Sequence, residues 1–448
     1  MRHVHRGWIG VLLAVALVLG CESVAERAIK PAPQGSLTFL FSADNQGVIS
    51  SCGCPTNPSG GFAKRQTLID KFRSVRPDVV TVDSGDMFPD RPNPMKVKYL
   101  ATALGRARYD AVAMGDQEFG LGVPLMQSLA GEHKLTLLSA NVRDESGQAP
   151  FPPHVIREAG GRRIGIFAVV ADGINANPPR EWRKGLKIEP PIEAAKREVR
   201  DLAGCDLIIA LSHQPFAATQ ELAKSVPEIN IVVSGHDLTI LRKPQMVGKT
   251  MIVASGPVGR VLGALTFTYG PGASPDPALD MIGLSERTVR DIPWVMDLYW
   301  EYVKKAKGEP PPDWALGIQP EEYQPADDCT KCHEKEFKQW ASTRHASAYA
   351  SIKRKGKQDD PECILCHTMG YGREGGFWSM EDTPGLGRVT CQACHPVTAD
   401  HSDKKIKTDP KRDVDARTCV HCHGLVESPD FDFNAYKPKI AHGGAEKK

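Results

Sequence analysis

Val79-Val-Thr-Val-Asp-Ser-Gly-Asp86 sets an apolar, β-branched run directly against an acidic turn. Side chains branched at Cβ favour extended backbone, and the Asp-Ser-Gly that follows favours a turn. The same pattern repeats in both directions along the chain. Apolar runs predict strands at 37–41, 79–82, 111–114, 135–138, 164–170, 207–211, 229–233, 251–254 and 261–269, alternating with stretches of helical period. That alternation is the mark of an α/β domain. Asp44, Asp83-Ser-Gly-Asp86, Gly115-Asp116-Gln117-Glu118, Ser212-His213 and Gly235-His236-Asp237 each fall just past the C-terminal end of a predicted strand. Ligands of α/β sheets bind at that edge. One such turn is an ordinary polar loop, whereas five in register point to a divalent metal held by hard oxygen and imidazole donors.

The order of these turns resembles the calcineurin-like metallophosphoesterases, and most closely the catalytic domain of bacterial 5'-nucleotidases. Gly60-Gly61-Phe-Ala-Lys-Arg65 and Leu138-Ser-Ala-Asn141-Val add to the resemblance. It implies two sheets flanked by helices over 37–285, and a pair of bridged metals. By the same resemblance Asp86 is the bridging carboxylate, and Asp116, His213 and His236 complete the shell of the second metal, with aspartate in place of the usual asparagine. The first site keeps Asp44 but has Gln46 and Leu238 where the family has histidines. At the family's catalytic motif Asp116 is followed by Gln117, where a histidine ordinarily assists the phosphoryl transition state. Two-metal hydrolysis needs one ion to generate hydroxide and both to neutralise developing charge, and glutamine is no proton donor. The expectation is a single divalent ion, Zn, Mn or Fe, in a domain that does not hydrolyse. The alternatives are a working phosphoesterase of the 5'-nucleotidase type and a metal-free scaffold.

Cys-x-x-Cys-His occurs four times toward the C-terminus: Cys329-Cys332-His333, Cys363-Cys366-His367, Cys391-Cys394-His395 and Cys419-Cys422-His423. Two thiols three apart can each form a thioether to a haem vinyl group, and the adjacent histidine then lies under the iron. Zinc also takes Cys-x-x-Cys pairs, but it does not explain a histidine after every second cysteine. His345, His401, His421 and His442 remain as distal ligands, which suggests mostly bis-histidine irons, with Met369 and Met380 as rivals. The run from Cys329 to His345 resembles the first-haem signature of tetrahaem cytochromes of the c-554 type. Cys366-His367-Thr-Met-Gly-Tyr with Gly375-Gly376-Phe377, Cys394-His395 with His401, and Phe433-Asn-Ala-Tyr-Lys-Pro-Lys-Ile-Ala-His442 resemble later parts of that module. A departure is Pro396-Val-Thr-Ala, which stands where that family has a glycine-proline-glycine run. The resemblance implies four c-type haems in a small, mainly helical and loop module over 325–448.

The full chain has 448 residues and a formal net charge of +2, which argues against nucleic acid as a partner. Acids and bases nearly balance in the tail, so eight haem propionates would make the assembled module acidic and its redox partners basic. Arg2 and Arg6 precede an uncharged run over 7–20 that is too short to span a bilayer as a mature helix, which reads as an export signal over 1–20. Val18-Leu19-Gly20-Cys21 resembles a bacterial lipobox. It implies lipid on Cys21, a tether over 21–36, and a periplasmic or outer-surface membrane location. Ordinary signal cleavage near Gly20 is the alternative. Residues 286–324, with a predicted helix at 293–307 and prolines beyond, read as a linker. Cys52 and Cys54 have several readings: a disulfide from one of them to Cys205, inert thiols, or soft ligands to a redox metal. The leading expectation is an exported electron carrier with a degenerate phosphoesterase-like domain, and a hydrolase with a haem redox or sensing module is the alternative.

Overall fold

The structure, a computed structural model, describes residues 24–51, 58–89, 93–171, 185–274, 276–307, 309, 320, 322–397, 401, 414–424, 426, 428 and 430–442. The export segment with Cys21, the Cys52 and Cys54 pair, and most of the proline-rich stretch at 308–319 lie outside the described residues. No described helix is long and apolar enough to cross a membrane.

The described strands, in chain order, are β1 (Ser36–Ser42), β2 (Val79–Asp83), β3 (Ala111–Ala113), β4 (Leu137–Leu138), β5 (Val142–Asp144), β6 (His154–Ala159) and β7 (Arg162–Val170). They continue as β8 (Leu186–Ile188), β9 (Leu207–His213), β10 (Ile231–Gly235), β11 (Gln245–Val247), β12 (Thr250–Ala254), β13 (Val261–Thr268) and β14 (Ala278–Gly283). One six-stranded sheet runs β14-β13-β1-β2-β3-β4, the other runs β11-β12-β10-β9-β7-β6, and β5 pairs with β8. The inner strands β1 to β4 are parallel to one another, as are β7, β9, β10 and β12.

Residue period sorts each side chain into its layer. Along β1, Leu37, Phe39 and Phe41 point between the sheets, where they meet Ile164, Ile166, Ile209, Leu211 and Ile231 of the second sheet. Leu40 faces the other way, into a core shared with the helices Phe62–Val75 and Pro94–Ala107. The outer face of the second sheet is covered by the helices Pro191–Asp201 and Phe216–Ser225 through Ala195, Val199, Leu222 and Ala223. The result is helix, sheet, sheet, helix, the architecture implied by the phosphoesterase resemblance. Gly263 of β13 stands opposite Phe41 of β1, and a Cβ there would lie 2.1 Å from the Phe41 ring. Only glycine leaves room for that ring.

Two features differ from the sequence reading. Helix Pro293–Ala306, expected inside a linker, buries Val295, Tyr299, Tyr302 and Val303 in the core of the front domain. It belongs to the outer helical layer. The strands β5, β6, β8, β11 and β14 have no counterpart among the predicted strands. They are short or carry exposed positions, as at β14 with its half-exposed alternation, so they lack the continuous apolar run of the buried parallel strands.

The tail is a set of short helices: Thr330–Ala341, Ala348–Lys353, Pro361–His367, Ala416–Val420 and Phe433–Tyr436. Its apolar cluster is small, formed by Ile352, Ile364, Met369, Tyr371, Phe377 and Leu386. The tail meets the front domain along 357–362, where Lys96 Nζ lies 2.8 Å from Glu362 and Lys307 Nζ 2.6 Å from Asp359.

Candidate metal centre and haem attachment sites

At the C-terminal edges of β2, β3, β9 and β10, ligand atoms of Asp86, Asp116, His213 and His236 all lie within 4.8 Å of one another. Asp86 sits past β2 in left-handed backbone, φ 55°, and His236 past β10 at φ 78°. Asp44 and Gln46, both at φ 52°, share this geometry after β1. Non-glycine residues rarely adopt it, and such strain concentrates at functional sites. Asp116 opens the short helix Asp116–Gly120, and His213 ends β9 with no exposed surface.

The local hydrogen bonds orient these donors. His213 Nδ1 lies 2.8 Å from the Ser84 carbonyl and donates to it, which directs Nε2 toward Asp116 Oδ1 at 3.0 Å and Asp86 Oδ1 at 3.3 Å. His236 Nδ1 is 3.4 Å from Asp116 Oδ1. An imidazole fixed through one nitrogen so that the other faces carboxylates is the usual supporting arrangement for metal ligation. The residues therefore fit a divalent cation. Burial alone would drive His213 to neutrality, but the charge of Asp86 and the hydrogen bond to Asp116 hold its pKa well above the ordinary value. Burial likewise raises Asp116, but hydrogen bonds from His213 and His236 more than reverse that and hold it below the ordinary carboxylate range. This concentrated negative charge makes the group a receptor for a cation.

Glu118 supports the group from behind, in a role the sequence reading did not assign. Its buried carboxylate accepts N–H groups of Gly115 at 2.8 Å, Asp86 at 3.0 Å and Phe88 at 3.1 Å. Burial and the Asp86 charge push its pKa up to about 8. Asp44 stands beside the four-donor group and not in it: both its oxygens accept the backbone N–H of His236, at 3.1 and 3.0 Å. Leu238 is 62 % exposed, and Gln117 donates its backbone N–H to Asp86 Oδ1 at 3.1 Å. Cys205 is a free thiol.

In the tail, three distal candidates each face a proximal histidine. His333 and His401 have ring centroids 6.3 Å apart, His345 and His423 6.1 Å, and His395 and His442 5.8 Å. Two imidazoles bonded to one metal at about 2 Å each have centroids about 6 Å apart. The spacing therefore fits an iron between the rings of each pair. Burial lowers the pKa of His345, His423 and His442, which favours the neutral form that ligates. His367 is oriented through Nδ1, 2.8 Å from the Ala348 carbonyl and 3.2 Å from Ser351 Oγ. His421 caps the end of helix Ala416–Val420. Met369 packs in the apolar cluster, and Met380 is 44 % exposed. The helix Thr330–Ala341 is kinked at His333, φ −123° and ψ 42°, so the histidine of the first Cys-x-x-Cys-His motif breaks its own helix.

Comparison with known proteins bears on both regions. A family model described as cytochrome c554 and c-prime matches residues 328–396. Human 5'-nucleotidase is 29 % identical over 204 residues, 43 % of this chain and 35 % of that protein. The chain spans about a third of the length of the curated relatives it matches. Among solved structures, the 5'-nucleotidase precursor from Thermus thermophilus aligns with a TM-score of 0.53 at 21 % identity, covering 64 % of this chain and 61 % of that one. The calcineurin-like phosphoesterase YfkN from Bacillus subtilis aligns at 0.52 and 19 % identity, covering 61 % of this chain and 98 % of that one. The front region thus has the fold of the 5'-nucleotidase-type phosphoesterases, and part of the tail matches the cytochrome c554 family model.

Proposed function

We propose that this protein is a membrane-anchored carrier of electrons through four covalently attached c-type haems, fused to a phosphoesterase-like domain that binds one divalent metal without hydrolysing esters. The observation that carries the reading is the pairing of three proximal with three distal histidines at the spacing of two ligands on one iron. The haems supply the redox chemistry, and the chain supplies thiols, axial imidazoles and the surroundings that set potential. Haem propionates make the tail acidic, so its redox partners are expected to be basic proteins. The test is purification from a host competent in c-haem maturation, with haem and metal counted on one sample. Four haems per chain are expected, and two or fewer in fully matured protein would overturn the reading.

The pairing sharpens a mutational expectation. His345→Ala should convert the haem attached through Cys419 and Cys422 from low-spin to high-spin, because His345 faces His423. The haem should stay covalently bound, and an unchanged low-spin absorption spectrum would remove His345 from the ligand set.

We propose lipid on Cys21 as the anchor, at the periplasmic or outer face of a bacterial membrane. Cys21→Ser should move the protein from the membrane to the soluble fraction. Wild-type protein recovered wholly soluble with an unmodified N-terminus would contradict this.

The second reading is a metal-dependent phosphoesterase of the 5'-nucleotidase type with a haem redox or sensing module. The complete four-donor group is the observation in its favour.

A further inference from the structure

The contacts between the tail and the front domain converge on the few residues that lead into the second haem motif. Lys357 Nζ reaches Ser50 Oγ at 3.3 Å and the Ser51 carbonyl at 3.2 Å, and lies 5.2 Å from the centre of the Tyr299 ring. Tyr302 donates its hydroxyl to Glu362 Oε1 at 3.0 Å. At the centre is Asp360, 3 % exposed, whose Oδ2 accepts the Tyr299 hydroxyl. Its Oδ1 accepts the backbone N–H of Glu362 at 3.0 Å, which caps helix Pro361–His367, the helix that carries Cys363, Cys366 and His367. Oδ2 also lies 3.4 Å from Cys363 Sγ.

We propose that Asp360, held by Tyr299 of the front domain, is a positioning residue that lowers the reduction potential of the haem attached at Cys363 and Cys366. The inference rests on the reading of that motif as a haem site. On attachment the Cys363 thiol adds across a haem vinyl group: sulfur bonds to one vinyl carbon and the thiol hydrogen passes to the other. The Cys363 hydrogen is thereby lost to Asp360, and the Tyr299 hydroxyl remains as a side-chain donor to Oδ2. Attachment also fixes the porphyrin edge at Sγ, a few ångströms from a buried carboxylate. Burial and the Glu362 charge raise the Asp360 pKa, opposed by the hydrogen bond from Tyr299 and the charge of Lys357. In its ionised form the carboxylate stabilises the ferric haem, which carries one more positive charge than the ferrous form. At roughly 10 Å and an effective dielectric of about 20, the attraction corresponds to about a tenfold change in the one-electron reduction equilibrium. The Tyr299 phenol stays protonated, its pKa raised by burial and by the Asp360 charge, so it remains a donor. The front domain thus takes part in setting the potential of a haem that it does not ligate.

The test is a mediated redox titration of the full-length holoprotein, with a soluble reductant supplying the electrons and haem absorbance as the readout. Asp360→Asn keeps both the cap and the shape while removing the charge, and Asp360→Ser is a second neutral cap. Each should raise one of the four midpoint potentials by about tenfold in the reduction equilibrium, or about 59 mV, and leave the other three in place. Asp360→Glu should restore most of the shift. Tyr302→Phe, which loosens the same junction without touching Asp360, should leave all four unchanged. Four unmoved potentials in both neutral variants, or a uniform shift of all four, would overturn the inference while leaving the haem reading intact. If mass analysis finds no haem on the peptide containing Cys363, both fall together.

Discussion

Replacing Arg65 by alanine is expected to lower the unfolding free energy of the front domain by about 3–5 kcal/mol. Arg65 is fully buried and places Nη1 3.3 Å from Asp83 Oδ2 and Nη2 2.7 Å from Asn45 Oδ1. Asp83 ends β2, three residues before Asp86, and accepts Ser42 Oγ at 2.6 Å and the Gly85 N–H at 3.1 Å. Without the guanidinium, Asp83 is a buried carboxylate lacking its cation, directly behind the four-donor group. Burial already pushes the Asp83 carboxyl up, with Arg65 opposing, so the variant recovers part of the loss by protonating it. For a domain of this size the drop corresponds to a fall in Tm of roughly 10 °C. Far-UV circular dichroism would read it while the tail is followed separately through its haem absorbance. The double variant Arg65→Met, Asp83→Leu should lose less than the sum of the single changes, because an apolar pair leaves no charge stranded. A cost below about 1 kcal/mol for Arg65→Ala would place the pair with ordinary surface ion pairs.

Metal analysis is expected to return one divalent ion per chain beyond the haem iron, and Asp116→Ala to remove it. Asp116 Oδ1 is the oxygen approached by both His213 and His236, so its loss opens the group at its centre. Phosphomonoesterase and nucleotidase activity should stay near background even with added manganese, because Gln117 cannot donate a proton and Asp44 is engaged by the His236 backbone. Restoring Gln46→His, Leu238→His and Gln117→His together should raise hydrolysis by about 100-fold or more. The exposed position of Leu238 suits a histidine there without repacking of the core. Two metals in the unmodified protein, with nucleotide turnover that Asp86→Ala abolishes, would sink the one-metal reading.

Much of the front domain is legible in its sequence because its inner strands are parallel and buried on both faces. Runs such as Leu207–Leu211 then stand out against their surroundings. The edge strands β6, β11 and β14 are not legible in the same way: β6 and β14 alternate with solvent, and β11 is only three residues long. Helix Pro293–Ala306 is readable as a helix, but not its place in the fold. Val295, Tyr299, Tyr302, Val303 and Ala306 form one apolar stripe, and a free linker has no layer in which to bury such a stripe. The turns at Asp86, Asp116, His213 and His236 can be named because strand ends converge, whereas the support from Glu118 and the Ser84 carbonyl is visible only in three dimensions. In the tail the motifs are local and announce themselves. The partners His345 and His423 are separated by most of the module, and no spacing rule connects them.

The four donors also bear on the order of assembly. Asp86 and Asp116 follow β2 and β3 of one sheet, while His213 ends β9 and His236 follows β10 of the other. Neither sheet alone holds more than half of the group, so an ion binds with full strength only after the two have closed on each other. An ion held there would be a rivet between the sheets. Free metal at about 100 times its dissociation constant adds about 2.7 kcal/mol to the folded state. Thermal melting of the front domain should therefore follow metal concentration, and a chain translocated unfolded would acquire its ion from the compartment in which it folds.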